Sequence, residues 1–164
     1  MSSRTALVLA LALALAACGF RLRGSANVPF ETLYIPQSTS GIGLELKRNI
    51  QAGTRAKVVD DAKQAEAVLE FTREAREKAI LSLTAQGRVR EFQLRYVVGF
   101  RVHDGKGRDF VPATTVTLIR DITFNDSDVL AKEAEEQLLF RDMQSDMVQQ
   151  IMRRLAAAPK VKPQ

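Results

Sequence analysis

Two groups of residues in this chain have types and spacings that suggest chemistry: a set of cations around one turn, and a single thiol at the end of an apolar run. Arg73, Arg76, Lys78, Arg88 and Arg90, with Arg95 and Arg101 beyond, flank Gln86-Gly87 on two strand-like stretches. If those stretches pair as a hairpin, the charges gather at one end of a sheet, where guanidinium groups can take phosphate oxygens in bidentate fashion. The same charges could instead form a solvated face paired with Glu70, Glu74, Glu77 and Glu91, or dock onto acidic side chains of a partner. Arg120 interrupts the apolar face of a later strand, and is either paired beneath a helix or set at a sheet edge. His103 has no second histidine beside it, so no metal site is expected. Met143, Met147 and Met152 fall at helical spacing and read as core packing. Glu133, Glu135 and Glu136 read as solvation of a helix. With no Ser/His/Asp set in motif context and no glycine-rich phosphate loop, no enzyme is expected.

Cys18 is the chain's single cysteine. It follows Leu15-Ala16-Ala17 at the end of the apolar run Ala6–Ala17, behind a short head carrying Arg4. Basic head, apolar centre and small-residue exit are the parts of a secretory signal. The run is shorter than the about 20 apolar residues a spanning helix needs. Leu-Ala-Ala-Cys resembles the bacterial lipobox, which implies diacylglyceryl transfer to the Cys18 sulfur, cleavage before it and acylation of the new amino group. The expected division is a cleaved lipoprotein signal peptide at 1–17, an acylated N-terminus and short tether at 18–30, a single domain at 31–157 and a flexible tail at 158–164. Beyond the N-acyl and S-diacylglycerol groups on Cys18, no cofactor is expected.

The formal net charge is +5, and cleavage removes only Arg4 from it. A modest basic excess on an exported domain suits phosphorylated glycolipids, peptidoglycan or acidic loops of barrel proteins, and export argues against nucleic acid. The mature domain must fold without a disulfide, so its core has to suffice. At about 0.8 kcal/mol per buried methylene, a multi-chain anchor is effectively permanent.

The elements that position these residues follow from periodicity. Thr32 to Ile35 reads as a short strand ended by Pro36, with a turn over Gln37 to Gly41. Ile42, Leu46 and Ile50 define an amphipathic helix closed by Gly53. A strand is expected to begin over Ala56 to Val59, followed by a solvated connection at Asp60 to Gln64. From Ala67 the period becomes two, but the polar stretch Arg73 to Lys78 separates Leu69 and Phe71 from Ile80-Leu81-Ser82-Leu83, which suggests a bulge or a strand running past the core. Phe92, Leu94, Tyr96, Val98, Phe100 and Val102 alternate strictly. Asp104-Gly105-Lys106-Gly107 makes a hairpin turn to a partner strand at Thr114 to Phe124. A helix from Asp128 to Leu155, capped by Asp126 or Ser127, carries an apolar stripe of Phe140, Met143, Met147, Val148, Ile151 and Leu155. The fold expected is α+β, a two-layer sandwich with two helices packed on one face of a mixed, mostly antiparallel four-stranded sheet.

Cys18 followed by Gly19-Phe20-Arg21-Leu22-Arg23-Gly24, the β-α-β-β-β-α order, and a long last helix ending Gln149-Gln150-Ile151-Met152-Arg153-Arg154-Leu155 resemble the LPS-assembly lipoprotein LptE family. The resemblance implies a lipid-anchored protein of the cell outer membrane, on the periplasmic side and inside the lumen of the β-barrel LptD. There it plugs the barrel, helps assemble the translocon, takes part in lipopolysaccharide insertion and binds lipopolysaccharide. Gly19 after the cysteine fits outer-membrane sorting. The family's lipopolysaccharide-contacting lysine, three residues before an arginine matched by Arg120, falls on Thr117, and its second basic position falls on Ala85. The family role does not carry over by position, and the lipopolysaccharide-binding residues expected instead are the nearby cations Arg88 and Arg90, with Arg76, Lys78 and Arg120. The competing reading is a free-standing periplasmic lipid- or peptidoglycan-binding lipoprotein without an obligate barrel partner. The short tether, with Phe20 and two arginines, favours a domain held close to its anchor.

Overall fold

In the computed structural model, which describes residues 28–36 and 41–159, the element order is β1 (Thr32–Tyr34), α1 (Gly41–Gly53), β2 (Lys57–Val59), a 3-10 turn (Ala62–Gln64), β3 (Ala67–Leu83), β4 (Val89–His103), β5 (Asp109–Thr123) and α2 (Val129–Ala157). Four expectations lie outside the described residues: the signal at 1–17, acylation of Cys18 with most of its tether, the turn before Gly41, and most of the tail.

β4 anchors the sheet, because alternation puts every second side chain on one face. Leu94, Tyr96, Val98, Phe100 and Val102 are all fully buried on that face. They join Ile42, Leu46 and Ile50 of α1 and Met143, Met147, Ile151 and Leu155 of α2 in one core, so both helices cover the same side. The helices are cross-linked by Gln144 and Ser145, which donate to the Glu45 carboxylate at 2.8 and 2.7 Å, and by Gln149 donating to Asn49 at 3.1 Å.

The sheet has five strands rather than the four expected, in the order β2-β1-β3-β4-β5. β1 runs parallel to both β2 and β3, while β3, β4 and β5 are antiparallel, so half of the pairings are parallel. The fifth is β2, a three-residue edge with Lys57 exposed; it is the strand expected to begin over Ala56 to Val59, which the count of four left out. Such a strand carries too few residues for alternation to show.

β3 is a single strand, and its polar middle has a simple cause. The register shifts between Phe71 and Arg73, leaving Thr72 as an extra residue. One extra residue moves the face-pointing set from odd to even positions. Before it, Leu69 and Phe71 pack on the core. After it, Glu74, Arg76 and Lys78 point to the helix side, where Glu74 accepts from the Tyr96 hydroxyl at 2.7 Å. Gly99 faces the bulge because an added Cβ there would lie 2.5 Å from the Thr72 hydroxyl oxygen.

α2 buries side chains only from Phe140 onward. Its first third, Val129 to Leu139, overhangs the end of the sheet, with Leu130 at 82% exposure. Its start is set by a turn on Asn125, whose carbonyl accepts from the Asp128 N–H at 3.1 Å. The N-cap position is Asp128 rather than Asp126 or Ser127, and its side chain makes no capping bond.

Candidate functional site

The end of the domain farthest from β1 is built by three pieces: the β3–β4 hairpin tip, the end of β5 and the overhanging start of α2. The tip closes through Thr84 N–H to the Arg88 carbonyl at 2.7 Å and Gly87 N–H to the Thr84 carbonyl at 3.0 Å, with Gly87 at φ +77°. That φ favours glycine, since a Cβ would crowd the backbone. Phe92 and Phe124 meet edge to face at 5.2 Å beneath the tip. Around this frame Ile80, Leu81 and Leu83 of β3 and Val129, Leu130 and Leu138 of α2 stand exposed. These apolar residues were not singled out from the sequence. The unbroken Ile80-Leu81 pair was the available signal, because a half-buried strand should alternate.

The seven cations do not gather at one end; the structure divides them three ways. Arg73 and Arg95 share Glu77 at 2.9 and 4.0 Å, and Arg101 holds Glu70 at 2.6 Å, all on the face of the sheet away from the helices. Arg76 and Lys78 point instead at α2. The Arg76 guanidinium donates to Gln144 at 2.8 Å and lies over the Tyr96 and Phe140 rings, 5.3 and 5.6 Å from their centroids. The Lys78 ammonium sits 2.5 Å from the Glu136 carboxylate and 4.2 Å from the Phe92 centroid. Arg88 and Arg90 stay at the tip. Arg88 is 75% exposed and reaches Asp126 only at 3.7 Å, and Arg90 is exposed with no ion pair among the described residues.

Arg120 joins both alternatives expected for it: it lies on the edge strand β5 and pairs with Asp146 of α2 at 2.9 Å. With Lys78–Glu136 and Arg76–Gln144 it clamps α2 to the strands: Glu136 lies in the overhanging part, and Gln144 and Asp146 lie between the buried Met143 and Met147. Each exposed pair contributes at most about 1 kcal/mol. These three cations already have close partners, whereas Arg90 has no ion pair among the described residues and Arg88 only a long, exposed one to Asp126.

Burial first, and then the hydrogen bond to the Glu74 carboxylate, pushes the Tyr96 phenol well above its ordinary range, so it is a neutral donor. At the opposite end of the sheet, Arg101, His103, Gly105, Gly107 and Asp109 line a shallow groove. His103 Nδ1 accepts from the Gly105 N–H at 3.0 Å, and its Nε2 lies 3.7 Å from the Glu70 carboxylate. Its one arginine is held by Glu70. Among the described residues no group of three His, Cys, Asp or Glu side chains could hold a metal, and no helix is long and apolar enough to cross a membrane.

Two helices on one face of a mixed five-stranded sheet is an arrangement shared with solved bacterial lipoproteins. Lipoprotein B from Nitrosomonas europaea, a solution structure, superposes with a TM-score of 0.73 at 44% identity over 85% of this chain and 91% of that one. The minor lipoprotein from Acinetobacter baumannii, a crystal structure, gives 0.64 at 25% identity over 83% of this chain and 99% of that one. The fold thus defines a bacterial lipoprotein domain. Residues 30–155 match the family described as LptE, lipopolysaccharide-assembly. An LPS-assembly lipoprotein LptE from Pectobacterium atrosepticum is 30% identical over 154 residues, 91% of this chain and 83% of its relative. The chain belongs to the LptE family.

Proposed function

We propose that this chain is an outer-membrane lipoprotein, anchored by N-acyl and S-diacylglycerol groups on Cys18, that lodges in and helps assemble the LptD β-barrel and binds lipopolysaccharide at its exposed end. The observation that carries the reading is the amphiphilic character of that end. Ile80, Leu81, Leu83 and Leu130 are exposed beside two cations, Arg88 and Arg90, that have little or no pairing of their own. Lipopolysaccharide offers the matching pair of features, phosphates on a sugar headgroup and acyl chains beneath. Arginine takes phosphate by a planar fork of donors, and exposed apolar side chains gain by removal from water. The role is one of binding and positioning, with no catalytic step. Lys78 supports it by holding the overhanging start of α2 through Glu136, and Arg76 and Arg120 by fixing the buried part of the helix that follows.

The barrel part of the reading is tested by gentle detergent extraction of the tagged full chain from its native membrane, followed by affinity purification. A stoichiometric heat-modifiable outer-membrane barrel protein is expected to accompany it. Purification of the acylated chain alone would overturn the plug assignment and favour a free-standing lipoprotein.

A further inference from the structure

β5 is the edge of the sheet, and its hydrogen-bonding direction can be worked out residue by residue. The Phe124 N–H donates to the Arg90 carbonyl at 2.8 Å, which makes Arg90 and Phe124 a hydrogen-bonded pair. In an antiparallel ladder such pairs recur every second residue. The register then assigns inward-pointing backbone groups to Ile122, Arg120, Leu118, Val116 and Thr114, opposite Phe92, Leu94, Tyr96, Val98 and Phe100. The N–H and C=O groups of Thr115, Thr117, Ile119, Asp121 and Thr123 therefore point away from the sheet. Only the Ile119 carbonyl among them accepts from a described side chain, the Arg120 guanidinium at 3.0 Å.

A row of this kind is a template for one more strand, and natural edges are commonly blunted by lysine, proline, bulges or shortness. The other edge of this sheet is blunted, because β2 has three residues. On β5 the register shifts lie at its start and Pro112 is near them. From Ala113 to Ile119 the edge carries neither charge nor proline, and Ile119 is 45% exposed.

We propose that β5 is a strand-addition surface, and that its occupant is an extended, basic segment of the barrel partner; this rests on the barrel reading above. An extended backbone is the chemistry that fits alternating free donors and acceptors. The basic character follows from the flanks. Asp121 lies on the edge itself. Above it runs the side of α2 that touches β5, fixed by Lys132 donating to Thr123 at 3.2 Å and by Asp146 on Arg120. Helical spacing places Glu135 and Asp142 on that side as well; Lys132 holds Glu135 at 2.8 Å and Arg120 holds Asp146 at 2.9 Å, so Asp121 and Asp142 are the acidic groups there without an ion pair among the described residues. A second copy of this chain added two-fold would bring Asp121 and Asp142 towards their own counterparts, whereas a basic segment would neutralise these two unpaired carboxylates.

The experiment uses the purified complex and two readouts. The first is amide exchange of the peptides covering residues 113–123 in the isolated full chain and in the complex. Exchange at the outward amides is expected to slow about a hundredfold on complex formation, while the inward amides are already slow. The second is Thr117→Pro, which removes an outward donor and leaves the β4 ladder intact, because proline is tolerated where an edge N–H faces solvent. It is expected to keep the fold and to lower recovery of the complex about tenfold. If the complex forms and the outward amides exchange as in the isolated chain, the strand-addition proposal is wrong while the barrel reading stands. If no barrel is recovered with the wild-type chain, the barrel reading fails and this one with it. Protection that rises with the concentration of the isolated chain, and disappears in Thr117→Pro, would replace the barrel segment by a second copy.

Discussion

Ile151→Ala and Leu130→Ala should separate the part of α2 that holds the fold together from the part that hangs over the tip. Ile151 is fully buried in the core and Leu130 is 82% exposed. Replacing Ile151 by alanine removes three carbons, at about 0.8 kcal/mol each, or roughly 2.4 kcal/mol of transfer free energy. The void adds about 1–2 kcal/mol, because close-packed neighbours such as Met147 and Leu155 relax only in part. The expected loss is about 3–4 kcal/mol. Leu130→Ala should cost less than about 0.5 kcal/mol, as surface changes do. The assay is urea unfolding of the full chain in mild detergent, followed by far-ultraviolet circular dichroism. With a slope of about 2 kcal/mol per molar urea, Ile151→Ala moves the midpoint down by about 1.5–2 M. Equal destabilisation by the two substitutions would refute the division of α2 and, with it, the placing of exposed apolar residues at a working end.

Three further perturbations follow. Gly99→Ala should destabilise by about 1–3 kcal/mol through the clash with the Thr72 hydroxyl; adding Thr72→Ala should recover most of that loss in a double-mutant cycle, and a purely additive cycle would contradict the bulge contact. Asp104 is held below the ordinary carboxylate range, first by the Arg108 N–H and then by that of Lys106. A depressed carboxylate lends stability above its unfolded pKa and loses it as pH falls through the folded value. The Lys106 and Arg108 amides should therefore shift together on acidification, at a pH below the usual aspartate range, and Asp104→Asn should abolish that step. Cys18→Ala should abolish incorporation of labelled palmitate into the chain, and incorporation in that variant would contradict acylation at Cys18.

The strands that bury one face were legible because alternation and burial are the same fact in an antiparallel sheet, as in β4. α1 and α2 were legible for the corresponding reason at helical spacing. β3 was half hidden: the Thr72 bulge shifts its phase, and beyond it the side chains facing α2 are Glu74, Arg76 and Lys78 rather than apolar residues. Composition alone cannot distinguish such a strand from a solvated connection. β2 is too short to show a period, and the start of β5 is masked by Pro112, which an edge tolerates. The candidate site was legible in its charges but not in their grouping. Which cations are spent on clamping α2 depends on acidic and amide partners about 60 residues away in sequence, Glu136 and Gln144. Ile80, Leu81 and Leu83 were visible as letters, but only the ending of the core short of the tip shows that they are exposed.

Lipopolysaccharide binding by the tip is the central claim, and its most direct measurement is titration of the full chain, in zwitterionic detergent at low salt, with lipopolysaccharide. Two exposed guanidinium–phosphate contacts contribute about 0.5–1 kcal/mol each. The double substitution Arg88→Ala with Arg90→Ala should therefore weaken binding about 5- to 30-fold, with the difference shrinking at high salt and the unfolding midpoint unchanged. Wild-type affinity in that double variant at low salt would contradict the account.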